Sequence, residues 1–115
     1  FAGQRRLKGL IAIVDYNRVQ LSGTVPGTLD LEPLADKWRA FQWLVFECDG
    51  HDLAGVVQAI EQAREASVSG PAVVIAHTTK GKGVSFMEGK YQWHGRAPND
   101  EECRRALAEI EHDAG

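Results

Sequence analysis

The chain is poor in the features that would settle its class quickly. It has two cysteines, Cys48 and Cys103, with neither CxxC nor Cys/His spacing, so a disulfide framework or a zinc site is not expected and free thiols are. No apolar run is long enough to span a bilayer, and no charged start leads into an apolar segment with a small-residue cleavage site, so cytoplasm is the expected location. A formal net charge of -3 lacks the basic excess of a nucleic-acid or anionic-membrane binder. Walker and dinucleotide fingerprints are absent: there is no GxxxxGK[ST], and no GxGxxG at a strand-to-helix turn. Internal repeats and low-complexity segments are also missing.

What is present is ordinary globular composition, 115 residues with 43% hydrophobic and 25% charged, enough for one core. The stretch LIAIVDYNRV at 10–19 opens with an apolar run that shows no alternation. It reads as a parallel strand over 10–16, interior and covered on both faces. Residues 1–8 read as the tail of a helix ended by Gly9, and residues 17–28 as a loop turned by Gly23, Pro26 and Gly27. From Asp30 the pattern is helical, with Leu34, Trp38 and Phe41 on one side.

WLVFEC, 43–48, is a second strand. Asp52 then caps a helix striped by Leu53, Val56, Val57, Ile60 and Ala63, which runs to about Ser67 and stops by Gly70. PAVVIA, 71–76, is a third strand, followed by a long loop over 81–98 that suggests a binding role. Asn99 and Glu102 form a capping box for a closing helix striped by Cys103, Ala106, Leu107 and Ile110. Alternating strands and helices predict an α/β fold, a parallel sheet with helices on both faces.

Each strand ends in polar groups: Asp15 and Asn17 after the first, Asp49, His51 and Asp52 after the second, His77 and Lys80 after the third. In a parallel sheet these ends share the rim where ligands bind. Asn17 is either a turn residue bonding its own backbone or a hard oxygen donor for Mg²⁺ or Ca²⁺, with the Val19 carbonyl beside it; such a site still needs a carboxylate. Lys80, Gly81, Lys82 and Gly83 form either a solvated basic turn or a phosphate cradle. His94, in Trp93-His94-Gly95, is a surface histidine, or one that donates to phosphate or shuttles a proton.

With these residues in place, the chain resembles the thiamine-diphosphate-binding half of transketolase, particularly the N-terminal subunit of the split type. FAGQRRLKGLIAIVDYNRVQLSG is similar to the family's helix, strand and metal loop; LEPLADKWRAFQW and CDGHD to its next helix and strand end; AHTTKGKGVSFMEGKYQWHGRAPNDEE to its diphosphate loop. The resemblance implies that residues 1–115 are a single partial thiamine-diphosphate domain, truncated at the N-terminus. It implies that Asn17 and Val19 bind the Mg²⁺ that bridges the cofactor diphosphate, and that Lys80 and His94 lie at the cofactor, His94 also handling substrate protons.

The family's GDG motif, which carries the charged metal ligand, would lie upstream of Phe1, and Ser22 stands where family members often have Asp. The implied activity is two-carbon ketol transfer between sugar phosphates, as in the pentose phosphate pathway. A pyrimidine-binding domain or C-terminal transketolase subunit completes a homodimer or heterotetramer, and this piece alone is expected to be inactive. The rival readings are a deoxyxylulose-phosphate synthase or 2-oxo-acid dehydrogenase E1 relative, and a non-catalytic domain that dimerises or binds phosphate.

Overall fold

The structure, a computed structural model, describes residues 1–21 and 23–113. Ser22, singled out above, lies outside the described residues. The chain forms two compact units: Phe1–Tyr16 with Leu31–Thr78, and Asn17–Asp30 with Thr79–Gly115.

The first unit is the sheet. β1 is Ile11–Tyr16; in the second unit come β2 (Val19–Gln20), β3 (Gly23–Thr24) and the short α1 (Val25–Thr28). The chain returns to the first unit for α2 (Leu34–Ala40), β4 (Leu44–Asp49), α3 (Leu53–Ala66) and β5 (Ala72–His77). The sheet has the order β1-β5-β4, all parallel, with Tyr16 and Asp49 both in register with His77. Parallel neighbours need crossovers, and α3 supplies the one between β4 and β5.

Alternation along β5 sends its side chains to two cores. Ala72 and Val74 pack with Ala59 and Ala63 of α3, while Val73 and Ile75 pack with Tyr16 and, around them, Leu34, Ala35 and Trp38 of α2. Helices therefore cover both faces, as expected for a parallel sheet. In the described sheet the strand with neighbours on both sides is β5, while β1 lies at the edge with Ile13 61% exposed. Two similar apolar runs do not reveal which one has neighbours on both sides.

Three further expectations are corrected. Residues 1–8 form turns, closed by Arg5 N–H to the Phe1 carbonyl at 2.9 Å and Leu7 N–H to the Ala2 carbonyl at 3.0 Å, although Gly9 does take a positive φ of 72°. Phe41 lies beyond α2 and is exposed. On α3 the expected stripe holds in part: Ala63 is buried and Ile60 packs on the core together with Ala59, which the stripe did not include, while Leu53 is 79% exposed and Val57 half exposed. Asp52 caps α3 as expected, its carboxylate accepting the Ala54 N–H at 3.1 Å.

In the second unit, β2 and β3 form a minimal antiparallel pair, and α1 follows with Thr24 capping it. The segment after Thr79 is a run of tight turns, then a 3₁₀ turn at Tyr91–His94, then α4 (Asp100–Asp113). Asn99 and Glu102 make the expected capping box reciprocally, both bonds 2.9 Å. Of the apolar stripe read for α4, Ala106 is partly covered, as are Glu102 and Glu109, while Cys103, Leu107 and Ile110 are exposed.

The burial pattern sets a stability contrast. In a chain of residues 1–115, Ile75→Ala, at 1% exposure in the middle strand, should cost about 3 kcal/mol, whereas Ile13→Ala at the edge of the described sheet should cost less than about 1 kcal/mol, as read by urea unfolding.

Candidate functional site

At the carboxyl end of the sheet in the first unit, polar groups bind one another. The Thr78 hydroxyl donates to the Asp15 carboxylate, tying the ends of β5 and β1, and the Thr78 N–H reaches the Tyr16 carbonyl at 3.4 Å. His77 Nε2 lies 3.0 Å from Glu47, which also stands 3.7 Å from Arg39. The buried Tyr16 hydroxyl donates to Glu32 at 2.8 Å. Asp49 accepts the His51 N–H at 2.9 Å, and Gly50 donates its N–H to the His77 carbonyl at 2.8 Å. The acids of this rim thus satisfy strand-end and turn donors. Burial first, then the negative charges of Asp49 and Asp52, push the Cys48 thiol up, which keeps it protonated at neutral pH.

Asn17, Val19, Lys80 and His94 all belong to the second unit. Arg18, with φ 61°, turns the chain so that the Val19 N–H donates to Asn17 Oδ1 at 3.0 Å. This is the backbone-bonded turn foreseen as one of the two readings of Asn17. It does not exclude the other, because an amide oxygen has two lone pairs. Val19 opens β2, and β2 lies beside the Tyr91–His94 turn, so the structure brings Val19 into the neighbourhood of the turn that ends in His94. His94 is exposed.

Lys80 is partly buried, and its carbonyl accepts the Gly89 N–H at 2.8 Å, closing the loop on itself. Lys82 pairs with Glu88 at 3.4 Å, so the second lysine of the glycine-lysine loop is answered within the loop. Gly81 takes φ 70°, and a Cβ there would press on Met87 at 3.0 Å; the turn itself requires this glycine.

No group of three or more His, Cys, Asp or Glu side chains among the described residues could hold a metal ion. The donors available to a hard cation at Asn17 and Val19 are neutral oxygens, which fit Mg²⁺ only as part of a shell that anionic oxygens complete.

Sequence reasoning overlooked the contacts that hold this loop. Glu109 of α4 takes both the Ser85 N–H, at 2.5 Å, and the Ser85 hydroxyl, at 3.0 Å. These two bonds hold its carboxyl below the usual glutamate range; Glu102 is lowered likewise, by its bonds to the Asn99 backbone and to Arg96. The Phe86 carbonyl accepts from Lys90 Nζ at 3.0 Å and Trp93 Nε1 at 3.2 Å. The available signal was the spacing of Glu102, Arg105 and Glu109, which places them on one side of α4. A cavity lined by Gly83, Ser85, Glu88, Ala108, Glu109 and His112 lies beside these contacts, and none of Asn17, Val19, Lys80 and His94 lines it.

Residues 1–113 match the family described as transketolase, thiamine diphosphate binding domain. Over 113 residues the chain is 46% identical to the 6-deoxy-6-sulfo-D-fructose transketolase subunit of Clostridium sp. (strain MSTE9), covering 98% of this chain and 41% of that protein. Over 107 residues it is 39% identical to an apulose-4-phosphate transketolase subunit of Phocaeicola vulgatus, covering 93% and 38%. Among solved structures, transketolase from Campylobacter jejuni superposes with a TM-score of 0.86 at 29% identity, covering 96% of this chain and 17% of that one. The chain spans about two fifths of the length of the curated relatives named here.

The lowered carboxyls make the loop contact pH-dependent. The stabilisation is complete above the ordinary glutamate range and is lost as pH falls through the depressed values of Glu102 and Glu109. The Ser85 amide resonance should therefore titrate with a midpoint below that of a free glutamate, and Glu109→Gln should abolish the titration.

Proposed function

The chain belongs to the transketolase thiamine-diphosphate-binding domain family, and from that membership we propose that it forms the diphosphate end of the cofactor site in a transketolase-type enzyme. The observation that carries the reading is that β2, beginning at Val19, and the turn ending in His94 are neighbours although far apart in sequence. Thiamine diphosphate, when bound, supplies the carbon nucleophile that ketol transfer needs; the protein supplies binding, orientation and proton handling.

Asn17 contributes its side-chain oxygen and Val19 its carbonyl to Mg²⁺, for which Ca²⁺ can substitute. The charge these neutral donors do not provide comes from diphosphate oxygens and from an acidic ligand elsewhere in the complete enzyme, of which residues 1–115 are one part of the cofactor domain. Lys80 places a positive charge on the diphosphate side, and His94, exposed at the end of its turn, donates to phosphate or moves a substrate proton.

The substrates are ketoses carrying a terminal anion: the names of two relatives pair a transketolase with a sulfo sugar and with a sugar phosphate. Sugar phosphates are the primary expectation. Relatives named as subunits support a partner chain that brings the pyrimidine-binding domain, in a homodimer or heterotetramer acting in the cytoplasm. The Val19 bond to Asn17 gives Asn17 a use as a turn residue that needs no metal, which suits one rival, a non-catalytic domain, as well as it suits the cofactor site.

Asn17→Leu in the complete enzyme separates these readings. Loss of a metal ligand should raise the Mg²⁺ needed for half-saturation with cofactor at least about tenfold, with the Asx turn also lost. Titration by calorimetry that shows unchanged Mg²⁺ dependence would remove Asn17 from the metal site.

A further inference from the structure

His94 closes an exposed turn, and the contacts that fix this turn fall on the residues around it. The Trp93 indole donates to the Phe86 carbonyl at 3.2 Å, and its ring meets the Phe86 ring edge-on with centroids 5.6 Å apart. The Arg96 guanidinium lies 4.3 Å from the Trp93 ring centroid. Behind it, Arg96 pairs with Glu102 at 2.5 Å, and Glu102 is itself locked in the capping box of α4. One turn along, the Arg105 guanidinium stands 4.8 Å from the Phe86 ring centroid.

A guanidinium between an indole face and a carboxylate is attracted from both sides, by the ring quadrupole and by charge. A planar fork fits this place better than an ammonium does. The sequence of contacts runs from the first turn of α4 through Arg96 to Trp93, and the next residue is His94. An imidazole that acts on phosphate or on a substrate proton must be held in direction more than it must be buried.

We propose that Arg96 is a positioning residue for His94, acting through Trp93 to set the turn that presents the imidazole. The proposal rests on the reading of His94 as a cofactor and proton-handling group.

The test is a double-mutant cycle in the complete enzyme with its partner subunit, using Arg96→Met and His94→Ala alone and together. Arg96 is half exposed, so the methionine variant keeps the fold, and Arg96→Lys serves as a second, charge-preserving variant. Arg96→Met should lower kcat/KM about tenfold in the native background and less than about twofold beside His94→Ala, while Arg96→Lys falls between native and methionine.

In the cofactor-free enzyme, hydrogen exchange at the amides of residues 93–95 should quicken in Arg96→Met. If His94→Ala lowers activity but Arg96→Met costs the same factor in both backgrounds, or costs nothing, the positioning role is wrong and the reading of His94 stands. If His94→Ala leaves activity unchanged, the reading of His94 falls and the positioning role with it.

Discussion

Burial of β5 on both faces and along both edges is the constraint on which the first unit depends. Val73, Val74 and Ile75 are fully buried, so neither side of this strand tolerates water, and each of its backbone edges needs a parallel partner. The alternation of its side chains then divides the unit into two cores, one closed by the alanines of α3 and the other by Trp38 and its neighbours on α2. Because every strand of this sheet runs the same way, Tyr16, Asp49 and His77 come level at one end. The polar groups of the first unit at these strand ends, Asp15, Asp49 and Thr78 among them, are delivered there by hydrophobic burial, before any ligand chemistry is considered.

The second unit is organised by different forces. Its buried apolar residues are few, Val25 and Val84 among them, and its turns are held by bonds internal to the segment and by the charged side of α4. Glu109 grips Ser85, Arg105 stands over Phe86, and Glu102 anchors Arg96 over Trp93. Three side chains spaced along one side of a helix therefore take the place of a core. Exposed ion pairs contribute little singly, and their value here lies in being linked through aromatic rings and a cap.

These two kinds of organisation explain what the sequence made legible. Short apolar runs leave a strong trace, and WLVFEC and PAVVIA became β4 and β5 with boundaries within a residue. Caps are equally local, so Asp52 and the Asn99–Glu102 box could be read directly. Neighbour relations were not legible: the runs in β1 and β5 look alike, and pairing alone put β5 in the middle. Helix faces misled in part for a related reason, since large apolar residues such as Leu53, Leu107 and Ile110 draw attention while Ala59 and Glu109 make contacts that no apolar stripe pointed to. The connection of Arg96 to Trp93 and Glu102 needed coordinates, because a cation over a ring has no fixed spacing in sequence.

Asp15 and Asn17 stand two residues apart and have opposite employment. The charged one is engaged by the Thr78 hydroxyl and joins two strand ends, while the neutral one accepts the Val19 N–H in the other unit. A carboxylate at the strand end can hold a neighbouring strand because its charge strengthens the bond to a hydroxyl. An amide oxygen, without charge, gives a metal direction and hardness but little charge compensation. In the proposed site this chain therefore contributes geometry, through Asn17, Val19 and the turn of His94, and Lys80 is its fixed charge toward the diphosphate. The affinity of such a site must depend on anionic oxygens brought to it, so metal and diphosphate should bind as a pair, each weak without the other.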